Sequence, residues 1–253
     1  MSNKDYVGRL DPVSETWKRD PWTKLLIERY QLSRKFCEGK KVLDTCCGTG
    51  WGTVSYIVPI ADCVTGFDLA APMPQLKYNT EKCKFLTMDA TKIELEQKNY
   101  DIALALDSIE HLKREDGLKY INGMKQHLKK NGVLFGTTPL VERDSLIPVF
   151  LKWNKYHLYM YTELKLYESL KNSFEFVKIY RIYNEVCPYF AFACCDSQPQ
   201  LKEFDDKINH FLVENKHRFE KGKITAYRLW SKYLLRRVDL IESLKYLLLS
   251  FRQ

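Results

Sequence analysis

Residues 42–52 read Val-Leu-Asp-Thr-Cys-Cys-Gly-Thr-Gly-Trp-Gly and bring together a short apolar run, a carboxylate near its end and a turn with glycine at 48, 50 and 52. Glycine permits a positive φ and lets a ligand come close to the main chain, so this turn suits a nucleotide-like ligand. Asp44 stands where it could receive a ligand ammonium or order the loop. About 20 residues further on, Gly66-Phe67-Asp68 ends a second apolar run with an acid, the position that reads ribose hydroxyls in doubly wound folds. Without the upstream turn, Asp68 would read as an acid at a helix start. No Gly-Lys-Ser/Thr follows the turn, which excludes a Walker-type phosphate loop.

The elements that must position these residues alternate short apolar runs with longer amphipathic stretches, the α/β pattern. The spacing predicts a helix from Trp22 to Cys37 stopped by Gly39 and a strand over Lys41–Thr45. Thr53–Ile57 opens a helix, a strand spans Cys63–Asp68, and a helical stretch follows Pro74. Strands over Lys84–Met88 and Asp101–Leu106, a helix over Asp116–Lys129 and a strand over Gly132–Thr137 come next. Buried parallel strands need such apolar runs, and right-handed crossovers then make a doubly wound sheet. After Pro139 an aromatic connection over 140–161 has the length of an active-site cover. A helix over Thr162–Leu170, with Thr162 as N-cap, precedes two β-rich runs, Phe174–Tyr183 and Tyr189–Cys195, that close the sheet. Residues 1–198 form this domain, and 199–253 form a helical extension read as two helices separated near Gly222.

The chain resembles the class I S-adenosylmethionine-dependent methyltransferases from about Trp22 to Cys195. The matching stretches are VLDTCCGTGWGT, VTGFDLA, FLTMDATKI, YDIALALDSIEHL and GVLFGTTP. The resemblance implies an α/β fold with a seven-stranded, mostly parallel, Rossmann-like sheet, and S-adenosyl-L-methionine as cofactor. It implies Asp44, Cys46, Gly48 and Gly50 against the methionine part, Asp68 with Leu69 at the ribose, and Asp89 at the adenine amino group. Met88 and Ala90 would flank the adenine ring, and Asp107 and Ser108 would lie near the sulfonium. The family usually has glycine where this chain has Cys46, so a tighter pocket is expected there. HLKKNGVLFGTTP and NKYHLYMYTELKLYESL look like the soluble enzymes of polysaccharide and small-metabolite pathways.

Methyl transfer depends mainly on placement, and a base is required only if the acceptor is a hydroxyl or a protonated amine. Neutral imidazole accepts a proton near pH 7, which makes His111 and His157 the candidate catalytic bases. Each also has a structural reading, His111 as a helix-start residue ordering its loop and His157 as an exposed residue of the aromatic cover. No metal site is expected: Cys46, Cys47, Cys194 and Cys195 read as core thiols. The Asn-Pro-Pro-aromatic signature of many amino-methylating nucleic-acid enzymes is absent, since the fourth strand ends Asp107-Ser108-Ile109-Glu110.

Hydrophobic residues make up 45% and charged residues 28% of 253, values that exclude a mainly disordered chain. No apolar run reaches the roughly 18 residues of a membrane span, and the start lacks a secretory segment, so a cytoplasmic protein with free cysteines is expected. Of the net charge of +8, the stretch Lys216–Gln253 holds +7, with ten Lys and Arg against three acids. Its apolar stripe, including Tyr227, Trp230 and Leu234, asks for burial on the domain or on a second subunit as a homodimer. Peripheral membrane contact through 224–251 and RNA binding are the other outcomes. The favoured reading is methyl transfer to oxygen or nitrogen of a sugar, glycan precursor or other small metabolite. The alternatives are an RNA or protein methyltransferase using the basic tail, and a non-catalytic cofactor-binding protein.

Overall fold

A computed structural model describes residues 21–69 and 79–235, together with Lys245, Leu248 and Leu249. Helix α1 (Pro21–Cys37) leads through Gly39 into β1 (Lys41–Thr45). Strands β2 (Cys63–Asp68), β3 (Cys83–Thr87), β4 (Tyr100–Leu106) and β5 (Leu128–Pro139) follow, with α2 (Arg114–His127) between β4 and β5. Then come α3 (Ile147–Trp153), α4 (Glu163–Lys171), β6 (Phe176–Ile182), β7 (Tyr189–Cys195), α5 (Gln198–Glu214) and α6 (Lys216–Leu235). The strands form one sheet in the order β3-β2-β1-β4-β5-β7-β6. Neighbours are parallel as far as β5, and β7 runs antiparallel to both β5 and β6. This is the expected doubly wound, mostly parallel, seven-stranded sheet.

Its central strands are buried on both faces: β1 beyond Lys41, β2 beyond Cys63 and nearly all of β4 exclude water. Two apolar clusters follow, one per face. Tyr120, Ile121 and Met124 of α2 pack with Leu166 and Leu170 of α4 on one side. On the other, Leu25, Leu32 and Phe36 of α1 pack with Phe204, Ile208 and Phe211 of α5. The Phe36 ring stacks on Phe204 at 4.3 Å and meets Phe135 of β5 at 5.1 Å, so α1 is tied to the sheet and to the C-terminal extension together.

Three local expectations are refined, and a fourth lies outside the described residues. Thr53–Ile57 is helical but wound as a single π turn. The helix expected after Pro74 falls on residues outside those described, and Asn79–Lys82 are not helical. The segment 140–161 contains α3 and buries Leu140, Val141, Val149, Phe150, Met160 and Tyr161. It is therefore a packed part of the domain; the sequence hid α3 because Pro148, at the first helical turn, reads as punctuation. Thr162 does stand at the N-cap of α4, but its hydroxyl donates to Asp144 Oδ1 at 3.2 Å and caps no backbone N–H.

The break in the C-terminal extension is also displaced. It lies at Asn215, whose side chain donates to the Phe211 carbonyl at 2.8 Å, while Gly222 sits inside α6. A glycine is needed there because a Cβ would overlap the Tyr183 carbonyl oxygen. This close approach seats Ala226, Tyr227 and Trp230 in the core and brings Arg218 onto the buried Glu28 of α1. Of the predicted stripe, Tyr227 and Trp230 are thus covered by the domain itself, whereas Leu248 is 57% exposed. Gly222→Ala is expected to destabilise the protein by about 1–3 kcal/mol despite the better helix propensity of alanine, measurable by urea unfolding.

Candidate active site

Strand order reverses between β1 and β4, and in open α/β sheets a crevice opens at the carboxyl ends of the strands at such a point. The glycine turn after β1 is held in an alternating backbone: Cys46 at φ +51°, Gly48 at +62° and Gly50 at +73° all lie in the left-handed region. Main-chain bonds from Cys47 to Phe67 O (3.0 Å) and from Gly50 to Cys47 O (2.9 Å) fix the curve. Asp68, at the end of β2, accepts the Gly48 N–H through Oδ2 at 2.8 Å. The predicted ribose acid is therefore also a clamp on the glycine loop.

Asp44 is wholly buried. Its Oδ2 accepts from Thr53 Oγ1 at 2.6 Å and from the Tyr30 hydroxyl at 3.1 Å, while Oδ1 has no partner among the described residues. Burial raises its pKa to about 7, against the two hydrogen bonds, which lower it. A buried carboxylate oxygen without a donor is unfavourable unless a ligand supplies one, and the ligand ammonium expected at Asp44 would do so. The left-handed turn, this acceptor and Asp68 fit the groups of S-adenosylmethionine.

Cys46 occupies a left-handed position that a side chain adopts at a cost of about 1–2 kcal/mol. Its side chain packs against the apolar cluster that contains Tyr120, and burial pushes the thiol up to about 12, so it is neutral and unreactive. Cys46→Gly should raise stability by up to about 1 kcal/mol, the relief of strain exceeding the added freedom of the unfolded chain. Chemical denaturation would show the gain as a higher midpoint with unchanged slope. All eight cysteines are free thiols.

Beyond β3, Met88 donates its N–H to Asp68 O at 3.0 Å and is half-buried, and Ala90 is buried. Asp89 is exposed, and its Oδ1 accepts both the N–H and the hydroxyl of Thr91 at 2.8 Å, which lowers its pKa. Leu69, directly after Asp68, is 68% exposed. The acids at the ends of β1 and β2 are therefore joined through the loop, while Asp89 stands apart on its own turn.

At the end of β4, Asp107 adopts φ +48° and is fixed by Thr137, whose hydroxyl donates to Oδ1 at 3.0 Å, and by an ion pair with Arg29 of α1. Ser108 is buried and its hydroxyl is engaged with Tyr120 OH at 2.9 Å; Tyr120 also meets Thr45 Oγ1, which donates to Leu104 O at 2.6 Å. Ser108 thus braces β1 against β4. Arg29, Tyr120, Thr53 and Tyr30 went unread in the sequence because each falls in an amphipathic stretch, where its type is ordinary.

A short 3₁₀ turn over Ile109–His111 follows. Glu110 is 1% exposed and accepts from Thr138 Oγ1 at 2.9 Å. Its carbonyl receives the N–H groups of Leu158 (2.8 Å) and Tyr159 (3.2 Å), which stitch the 154–161 segment over the turn. The two predicted bases are brought together: the rings of His111 and His157 meet edge to face at 4.9 Å. With Glu110 they form a cluster in which one polar atom from each residue lies within 4.8 Å of the others. Burial lowers the pKa of His157, the Glu110 carboxylate opposing and His111 and Arg29 adding to the effect. Glu110 was overlooked as a site residue because a glutamate beside a histidine after a strand carries no spacing signal of its own.

A family model described as "Methyltransferase domain" matches residues 20–190, about two thirds of the chain. No curated protein matches by sequence. Among solved structures, N-methyltransferase NodS from Bradyrhizobium japonicum, in complex with S-adenosylhomocysteine, is similar with a TM-score of 0.56 at 14% identity, over 76% of this chain and 94% of that one. The 1,6-didemethyltoxoflavin-N1-methyltransferase of Burkholderia thailandensis is similar at 0.55 and 18% identity, over 76% and 85%. The [4+2]-cyclase SpnF is similar at 0.56 and 14% identity, over 76% and 90%. The seven-stranded sheet, the left-handed glycine turn and the family match agree, and the chain belongs to the methyltransferase-domain family as a class I S-adenosylmethionine-dependent methyltransferase.

Proposed function

We propose that the protein transfers a methyl group from S-adenosylmethionine to oxygen or nitrogen of a sugar, glycan precursor or other small metabolite, in the cytoplasm. The observation that carries this reading is the pairing of His111 and His157 beside the buried Glu110, at the strand end that also bears Asp107. When bound, the cofactor supplies an electrophilic methyl on a sulfonium. The chain's own residues do the rest. Asp44, Cys46, Gly48 and Gly50 hold the amino-acid end, Asp68 with Leu69 the ribose, Asp89 the adenine edge between Met88 and Ala90, and Asp107 and Ser108 the region of the sulfonium. The 140–161 segment excludes water, and the imidazoles receive the acceptor.

Two similar structures, NodS and the didemethyltoxoflavin enzyme, carry small-molecule or N-methyltransferase names, which supports a small acceptor. Burial of Tyr227 and Trp230 on the domain removes part of the apolar stripe on which a membrane or RNA contact through 224–251 would draw. Among the described residues no helix is long and apolar enough to cross a membrane. SpnF, similar in fold, is named a [4+2]-cyclase, so the acceptor chemistry is argued from the site and not from the fold.

Methyl-labelled cofactor incubated with fractionated small metabolites tests the reading, and label appearing in a protein or RNA fraction alone would overturn it. His157→Ala should lower kcat by about 10²–10⁴-fold while calorimetric affinity for S-adenosylhomocysteine changes little. A wild-type rate would remove His157 from the acceptor site.

A further inference from the structure

The hydrogen bonds around the two imidazoles fix their protons. His111 Nδ1 lies 3.0 Å from the Tyr156 carbonyl oxygen, which can only accept, so Nδ1 carries the hydrogen and Nε2 the lone pair. For His157 the order is set one residue away. Asn154 Oδ1 accepts the Tyr156 N–H at 3.0 Å, which turns the Asn154 amide nitrogen toward His157 Nε2 at 2.9 Å. The amide nitrogen only donates, so His157 Nε2 accepts and its hydrogen sits on Nδ1. That Nδ1 is buried and has no partner among the described residues. A buried N–H without an acceptor is costly and calls for an oxygen from a ligand.

The two rings meet edge to face at 4.9 Å beside the buried carboxylate of Glu110; the His157 ring offers a donor without an acceptor and the His111 ring a lone pair. A protonated amine would meet the His157 N–H donor head-on. A metal ion would need a lone pair at His157 Nδ1, which the Asn154 contact denies to the neutral ring. A hydroxyl matches both groups, since its oxygen accepts while its hydrogen donates. Resting on the proposed methyl transfer, we infer that the Glu110–His111–His157 cluster binds an alcohol or sugar hydroxyl, with His157 donating to its oxygen and His111 taking its proton, so that the product is a methyl ether. In the transfer, the hydroxyl oxygen forms the new bond to the methyl carbon and the C–S bond breaks with its electron pair left on sulfur. The hydroxyl proton passes to His111 Nε2 and then to water. Burial of His157 favours its neutral form and keeps the donor at Nδ1 from becoming one of two charged donors.

Long-range nitrogen–proton NMR on histidine-labelled protein saturated with S-adenosylhomocysteine reads the two rings without turnover. Both His111 and His157 should show the hydrogen on Nδ1. Asn154→Asp should move the His157 hydrogen to Nε2, leave His111 unchanged, and lower transfer at least about 10-fold with cofactor affinity retained. A wild-type His157 protonated at Nε2, or one equivalent of zinc bound by both rings, would overturn the inference. So would labelled methyl recovered on nitrogen. Failure to bind S-adenosylhomocysteine would instead overturn the underlying cofactor reading, so the two failures are distinct.

Discussion

Asp68→Ala should weaken binding of S-adenosylhomocysteine by about 100-fold or more. The carboxylate acts on the site twice. It accepts the Gly48 N–H at 2.8 Å, holding the left-handed turn against β2, and it is the residue assigned to the ribose hydroxyls. A hydrogen bond to a charged acceptor contributes about 1.5–3 kcal/mol, and each 1.4 kcal/mol is tenfold in affinity. Loss of the ribose contacts alone reaches the stated factor, and loosening of the turn adds to it. Because the Gly48 N–H would also lose its acceptor, the unliganded variant should unfold at lower urea, by about 1–2 kcal/mol. Calorimetry on folded Asp68→Ala checks the first effect. Unchanged affinity would remove Asp68 from the cofactor site.

Asp44 gives the second large effect, with a definite pH signature. Its carboxyl is raised from 3.8 to about 7 by burial. The native state therefore holds a proton that the unfolded chain has released between these values. The stabilisation from this proton is fully present below about pH 4 and is lost as the pH rises through about 7. Three units correspond to about 4 kcal/mol over that window. Asp44→Asn should flatten this part of the pH–stability curve and make the unliganded protein more stable than wild type at pH 8. The same change should weaken cofactor binding, since an amide cannot receive the ligand ammonium as a carboxylate does. Binding to wild type near pH 7 should release a proton, seen as a heat that varies with the ionisation enthalpy of the buffer. Equal stability of the two proteins from pH 4 to 8 would contradict this account of Asp44.

The sheet was legible because its strands obey a simple rule. Runs such as KVLDT and YDIALAL are buried on both faces, so their boundaries in the structure fall at or within one residue of the sequence expectation. The glycine turn was legible for a related reason, since left-handed backbone leaves a residue-type record at Gly48 and Gly50. Cys46 broke that record and was noticed, although its φ of +51° was not foreseen. Tertiary close approach leaves no such trace. Gly222 reads as a helix breaker until the Tyr183 carbonyl is seen against it, and Pro148 reads as an interruption until α3 is seen to begin there. The site followed the same division. Asp44, Asp68 and the imidazoles were candidates by position and type, whereas the pairing of His111 with His157 across 46 residues required the segment stitched to Glu110.

The most direct test of the central claim is a crystal structure of the protein with S-adenosylhomocysteine. The ligand should lie across the carboxyl ends of β1, β2 and β4, its ribose hydroxyls on Asp68 and its amino group on Asp44, with the sulfur facing the His111–His157 pair. Ordered density for the ligand at another place on the protein, or a ribose with no contact to Asp68, would contradict it.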